Sequence, residues 1–129
     1  MIALDTNVLL RALVDDEEAA NQCAAARRLV AAATAVTISA AVFLEAVWTL
    51  SRSFGFPRKD VARVATMLLD HPKYRVQDAA LFEAAVARFG AGNIDFADAV
   101  ALEHASRNAA TLYTFDRKLA KLDGAQAVG

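Results

Sequence analysis

The stretch Ile2-Ala3-Leu4-Asp5-Thr6-Asn7-Val8-Leu9-Leu10-Arg11 decides the reading of this chain. A short apolar, strand-forming run ends on an acid, and helical sequence follows at once. The pattern predicts a strand over residues 1–5 and a helix from Asn7 to about Val14. A strand that passes directly into a helix suits a parallel sheet covered by helices, and such sheets place their functional crevice beyond the carboxyl ends of the strands. Asp5 therefore stands where chemistry is expected.

The alternation continues outward from there. A long alanine-rich helix is expected over residues 17–33, with acids in its first turn and Arg27-Arg28 near its end, an order of charge that suits the helix dipole. Residues 35–38 read as the second strand. Ser39 is placed to cap a helix reaching about Phe54, which Gly55 closes. Pro57 opens the next helix, to about Asp70, and His71-Pro72 ends it. Residues 74–77 form the third expected strand. Asp78 is expected to cap a helix that stops before Gly90-Ala91-Gly92, and Asp95 one that reaches about Arg107. Residues 111–115 read as the fourth strand, with a short helix after it, and residues 126–128 could add a last edge strand. The implied class is α/β: a parallel sheet of four to five strands between helices, in three α/β/α layers.

Composition narrows the function. The 129 residues fit one domain, long enough to bury a core without disulfide or metal staples. Hydrophobic residues make up 57%, above the usual globular share, so the chain has apolar surface for a core and for a partner. The apolar stretch 39–51 contains Glu45 and is too short to span a membrane. Neither a basic nor an apolar leader opens the chain, and a cytoplasmic protein is expected. Cys23 is the only cysteine, so no internal disulfide can form. A net charge of −1 excludes a grip on nucleic acid through bulk charge; any contact must use a local basic patch. Two histidines and one cysteine are a poor set for zinc. Oxygen ligands remain, and with them Mg²⁺ or Mn²⁺.

Four acids occupy positions of interest. Asp5 ends the first expected strand. Glu45 is the only charge in a long apolar helical run, where an unpaired buried carboxylate would cost several kcal/mol. Asp98 follows three residues after the Asp95 cap, and Asp116 follows the fourth strand. Each has a structural explanation as well. Asp5 suits a helix cap, Asp98 a capping-box partner, Asp116 a first-turn acid, and Glu45 a solvated helix edge. Taken together they are expected to meet at one sheet edge. Carboxylates gathered there repel one another, and a divalent cation removes the repulsion. Mg²⁺ keeps several waters and takes substrate phosphate as a ligand, so the reading is a metal-assisted phosphoester site.

The motifs Leu4-Asp5-Thr6-Asn7, Glu45, Asp95-Phe96-Ala97-Asp98-Ala99 and Thr114-Phe115-Asp116 span nearly the whole chain. In order and spacing they resemble the PIN-domain family, and within it the VapC-type toxins of bacterial toxin–antitoxin pairs. The resemblance implies a PIN-like fold and a metal-dependent endoribonuclease. It assigns metal binding and catalysis to Asp5, Glu45, Asp98 and Asp116. It gives supporting roles to Thr6, Asn7 and Thr114, while Asp95 assists or merely caps. It further implies RNA products with a 5′-phosphate and a 3′-hydroxyl, a small antitoxin that blocks the site, and a homodimer.

For substrate grip, Arg11, Arg52, Arg117 and Lys118 are the candidate cations, against a reading as ordinary solvated surface. Phe43 and Trp48 read as core or interface rather than base-stacking residues. Residues 30–33 and 61–69 could serve a partner helix or the core. A receiver domain would want paired acids after the first strand, and an aspartyl phosphatase an acid where Asn7 stands. A non-toxin PIN-like nuclease, or a catalytically silent RNA- or protein-binding module, is the remaining alternative.

Overall fold

The acid of the opening stretch turns the chain. The computed structural model describes residues 1–129, and in it β1 is only Ile2–Ala3. Asp5 does not extend the strand. Its carboxylate accepts a hydrogen bond from the Val8 N–H at 2.9 Å and so starts α1, Thr6–Leu13. A single turn of 3-10 helix, capped by Asp16, leads into α2, Ala20–Ala32. The single helix expected over residues 17–33 is thus a short turn followed by a helix. Arg27 does not serve the end of α2; it reaches back to Asp15 at 2.7 Å. There follow β2 (Val36–Ile38), α3 (Ala40–Arg52), α4 (Arg58–Asp70), β3 (Tyr74–Val76), α5 (Ala79–Ala91), α6 (Phe96–Arg107), β4 (Leu112–Thr114) and β5 (Ala125–Ala127).

The local signals account for most of these boundaries. The Ser39 hydroxyl accepts from the Val42 N–H and begins α3. Gly55, at φ +65°, turns the chain after α3 in a left-handed conformation that a residue with a Cβ rarely adopts. Pro57 occupies the cap position of α4 rather than its first turn. Asp78 takes a left-handed backbone, φ 56°, just before α5. That helix does not stop before Gly90 but runs through it to Ala91.

The chain divides into two compact units, residues 1–79 and 80–129. In the first, β1, β2 and β3 form a parallel sheet in the order β1-β2-β3, with Ile2 beside Val36 and Val36 beside Tyr74. Its core joins Leu9 and Leu10 of α1, Val36 and Ile38 of β2, Phe43, Val47 and Leu50 of α3, and Val61 and Leu68 of α4, all buried. The inner face of α4, Val61, Ala65 and Leu68, is therefore core, while Met67 is exposed. Trp48 lies 52% exposed, whereas Phe43 is fully buried.

In the second unit β4 and β5 pair in parallel, with Tyr113 beside Gln126. Phe96 organises the core: its ring stacks on Phe82 at 6.2 Å and meets Phe89 edge-on at 5.7 Å. The α/β class and the parallel pairing of every strand hold. The strands form a sheet of three and a sheet of two, rather than one sheet of four to five. No helix is long and apolar enough to cross a membrane.

Candidate acidic active site

The second unit gathers three of the expected acids. Asp95 stands at the cap position of α6, its backbone carbonyl accepting from the Ala99 N–H. Asp98 is in the first turn of the same helix. Asp116 follows β4, where its backbone N–H donates to the Thr114 hydroxyl at 3.0 Å. One carboxylate oxygen of Asp116 accepts from the Leu119 N–H at 2.9 Å. The supporting role expected of Thr114 thus has a physical form, a hydroxyl that fixes the turn on which Asp116 sits. The second oxygen of Asp116 is not used by that cap.

Asp95, Asp98 and Asp116 line one cavity of about 480 Å³. Ile94, Leu119 and Leu122 supply its apolar wall, and Arg88, Asn93 and Lys118 its other polar groups. Asp98 is half-buried there. Burial first, then the negative charges of Asp95 and Asp116, push its carboxyl pKa above the ordinary value. All three influences disfavour the ionised form. Arg88 is held by Glu103 on α6. Sequence reading passed over Arg88, Asn93 and Glu103. A lone arginine near the end of a helix carries no local signal, and only the packing of α5 and α6 gives it a role.

The first unit holds the other two acids. Asp5 is exposed and caps α1. Glu45 is exposed as well, on the outer side of α3, between the buried Phe43 and Ala46. Of the two readings of Glu45, the structure shows the solvated helix edge: α3 is amphipathic, and Glu45 is exposed. Thr6 is half-buried at the start of α1. Asn7 lines a shallow depression with Val8, Arg11, Gln22 and Leu29. Arg11, a candidate for substrate, has partners of its own. Its guanidinium pairs with Asp16 at 2.9 Å and donates to Gln22 at 2.9 Å, tying α1 to the start of α2. Arg52, Arg117 and Lys118 are exposed. Both histidines are exposed: His71 accepts from the Lys73 N–H through Nδ1, and the His104 carbonyl accepts from Asn108.

The donor set suits a hard divalent cation. The cavity offers carboxylate oxygens, with no histidine or cysteine among its lining residues. Within neither unit do three His, Cys, Asp or Glu side chains close tightly on a single point. That is compatible with Mg²⁺, which takes one or two carboxylates and completes its octahedron with water and phosphate.

An α/β fold with parallel strands and an acid-lined cavity beyond β4 defines a candidate phosphoester hydrolase. The PIN domain family model matches residues 2–125. The chain belongs to the PIN domain family, whose fold is of nuclease type and whose members are generally hydrolases of this kind. No curated protein matches the chain significantly.

Proposed function

We propose that this protein is a metal-dependent endoribonuclease of the VapC type, the toxin of a toxin–antitoxin pair, and that both units together make up its nuclease domain. The observation that carries the nuclease reading is that Asp95, Asp98 and Asp116 line one cavity, with the Asp98 pKa raised by burial and then by the charges of the other two. The family match over residues 2–125 supports a single nuclease domain. The toxin assignment rests on the order and spacing of the acidic motifs.

In this reading Asp98 and Asp116 are the metal ligands of the second unit, Asp95 assists through its charge, and Asp5 and Glu45 are the metal-binding acids of the first. Bound Mg²⁺ or Mn²⁺ supplies a water of lowered pKa and positive charge against the phosphate. The protein's own task is to place oxygens. Thr114 holds the Asp116 turn, and α6 presents Asp98 to the cavity. Lys118, on the cavity wall, neutralises a phosphate of the RNA with Arg117 beside it in the chain, and Arg52 is a candidate phosphate contact of the first unit. Asn7 and Thr6 steady the chain beside Asp5. The partners proposed are an antitoxin that fills the acidic cavity and a second copy of the chain. The cytoplasm is the proposed compartment.

The test uses one acid from each unit. Asp5→Asn and Asp98→Asn are each expected to lower Mg²⁺- or Mn²⁺-stimulated cleavage of a purified RNA panel by about a thousandfold or more, because a metal's electrostatic contribution is worth several kcal/mol. Circular dichroism should show both variants folded. Full activity in Asp98→Asn would reject the metal assignment, and full activity in Asp5→Asn alone would confine the site to the second unit.

A further inference from the structure

Two aromatic rings stand out in solvent beside the acidic cavity. Tyr113 is 58% exposed and Phe115 is 85% exposed, while Leu112 before them and Thr114 between them are half-buried. Tyr113 is on β4 and Phe115 is the first residue beyond it, and the alternation of exposure continues across that boundary. Gln126, exposed, lies directly beside Tyr113 in the register of β5. The Val128 N–H donates to the Thr114 carbonyl at 3.1 Å, which holds the end of the chain against the base of Phe115. Phe115 immediately precedes Asp116, and the cations Arg117 and Lys118 follow.

We propose that Tyr113 and Phe115 form a stacking platform for two unpaired nucleobases of the RNA, next to the scissile phosphate. Exposed aromatics close together on a strand and the turn after it can hold successive splayed bases, and every base has a face to stack. The flanking cations match the phosphodiester backbone that such bases carry, and the Gln126 amide can hydrogen-bond a base edge. Consecutive Cα atoms are about 3.8 Å apart, so a base on Phe115 belongs to a nucleotide adjoining the carboxylate of Asp116. The platform selects single strands, because paired bases present no free faces. The inference rests on the ribonuclease reading of the cavity.

The experiment measures binding by fluorescence anisotropy, with the full chain in EDTA, so that turnover plays no part. The probes are a short labelled single-stranded RNA and the same backbone with abasic sites at successive positions. Phe115→Ala and Tyr113→Ala are each expected to weaken binding of the intact RNA roughly tenfold, the usual loss for a stacked base. Phe115→Trp should retain binding, and abasic RNA should bind wild type and Phe115→Ala alike. Unchanged affinity for intact RNA in both alanine variants overturns the platform, as does equal weakening on intact and abasic RNA. Sedimentation of the same variants reads the other occupant. If they convert a dimer to a monomer with no base-dependent loss of RNA, the face is covered by a second copy and the proposal fails. Failure of the ribonuclease reading shows separately, as absence of metal-dependent cleavage by wild type.

Discussion

In the first unit Asp5 sits in solvent at the head of α1, its carboxylate accepting from the Val8 N–H, and Glu45 lies on the solvated side of α3. In the second, Asp98 is half-buried in a cavity that Asp95 and Asp116 also line, and their charges bear on it. The first pair of acids is consistent with ordinary helix chemistry alone. Asp98 differs: burial, then the charges of Asp95 and Asp116, raise its pKa, so its ionised form costs folding free energy at neutral pH. The difference places the electrostatic strain among the acids in the second unit.

The largest effect expected within this contrast is on packing. Phe43 is fully buried in the first unit and Phe96 is 4% exposed in the second. Phe43→Ala and Phe96→Ala should each cost about 3–5 kcal/mol in urea unfolding. A Phe96→Ala cost under about 1 kcal/mol would mean that the second unit is not built around that ring.

A smaller effect separates the cations. Lys118→Glu should weaken RNA binding severalfold and reduce the slope of log affinity against log salt by roughly 0.7 for each phosphate the protein no longer neutralises. Arg11→Gln should leave that slope unchanged, because Arg11 is committed to Asp16 and Gln22. Equal slopes for Lys118→Glu and wild type would remove Lys118 from the RNA path.

The smallest effect tests the raised Asp98 pKa. A carboxyl whose pKa is higher folded than unfolded favours the fold below its unfolded value, and that advantage is lost as pH rises through the folded value. Asp98→Asn should therefore raise the Tm of the metal-free protein by about 1–3 °C near neutral pH. The gain should shrink as the pH falls into the range where Asp98 is protonated in the folded protein. A gain that does not depend on pH would assign the effect to something other than charge.

Particular elements show how far local reading reached. Ser39 capping α3 and Gly55 turning the chain after it were legible because each signal acts through covalent neighbours. The end of α5 was not. Gly90 reads as a stop, but Phe89 just before it is buried against Phe96, and that packing outweighs the roughly 1 kcal/mol that a helical glycine costs. Arg11 looked like a free cation because its partner Asp16 becomes a neighbour only when the chain turns between α1 and α2. Glu45 left two readings open because its sequence neighbours are apolar, and α3 settles it by burying Phe43, Ala46, Val47 and Leu50 while the acid stays in solvent.

The sequence by itself determined the order of strands and helices, most of the caps that separate them, and the family, since all of these depend on residue types at short spacing. Tertiary structure alone decided that Asp98 and Asp116, far apart in the chain, share a cavity, that Arg88 belongs to its wall, and that the five strands pair as three and two. Burial and Coulomb interactions act across space rather than along the chain, so a carboxylate's cost becomes fixed only when folding sets which charges surround it and how much water is left.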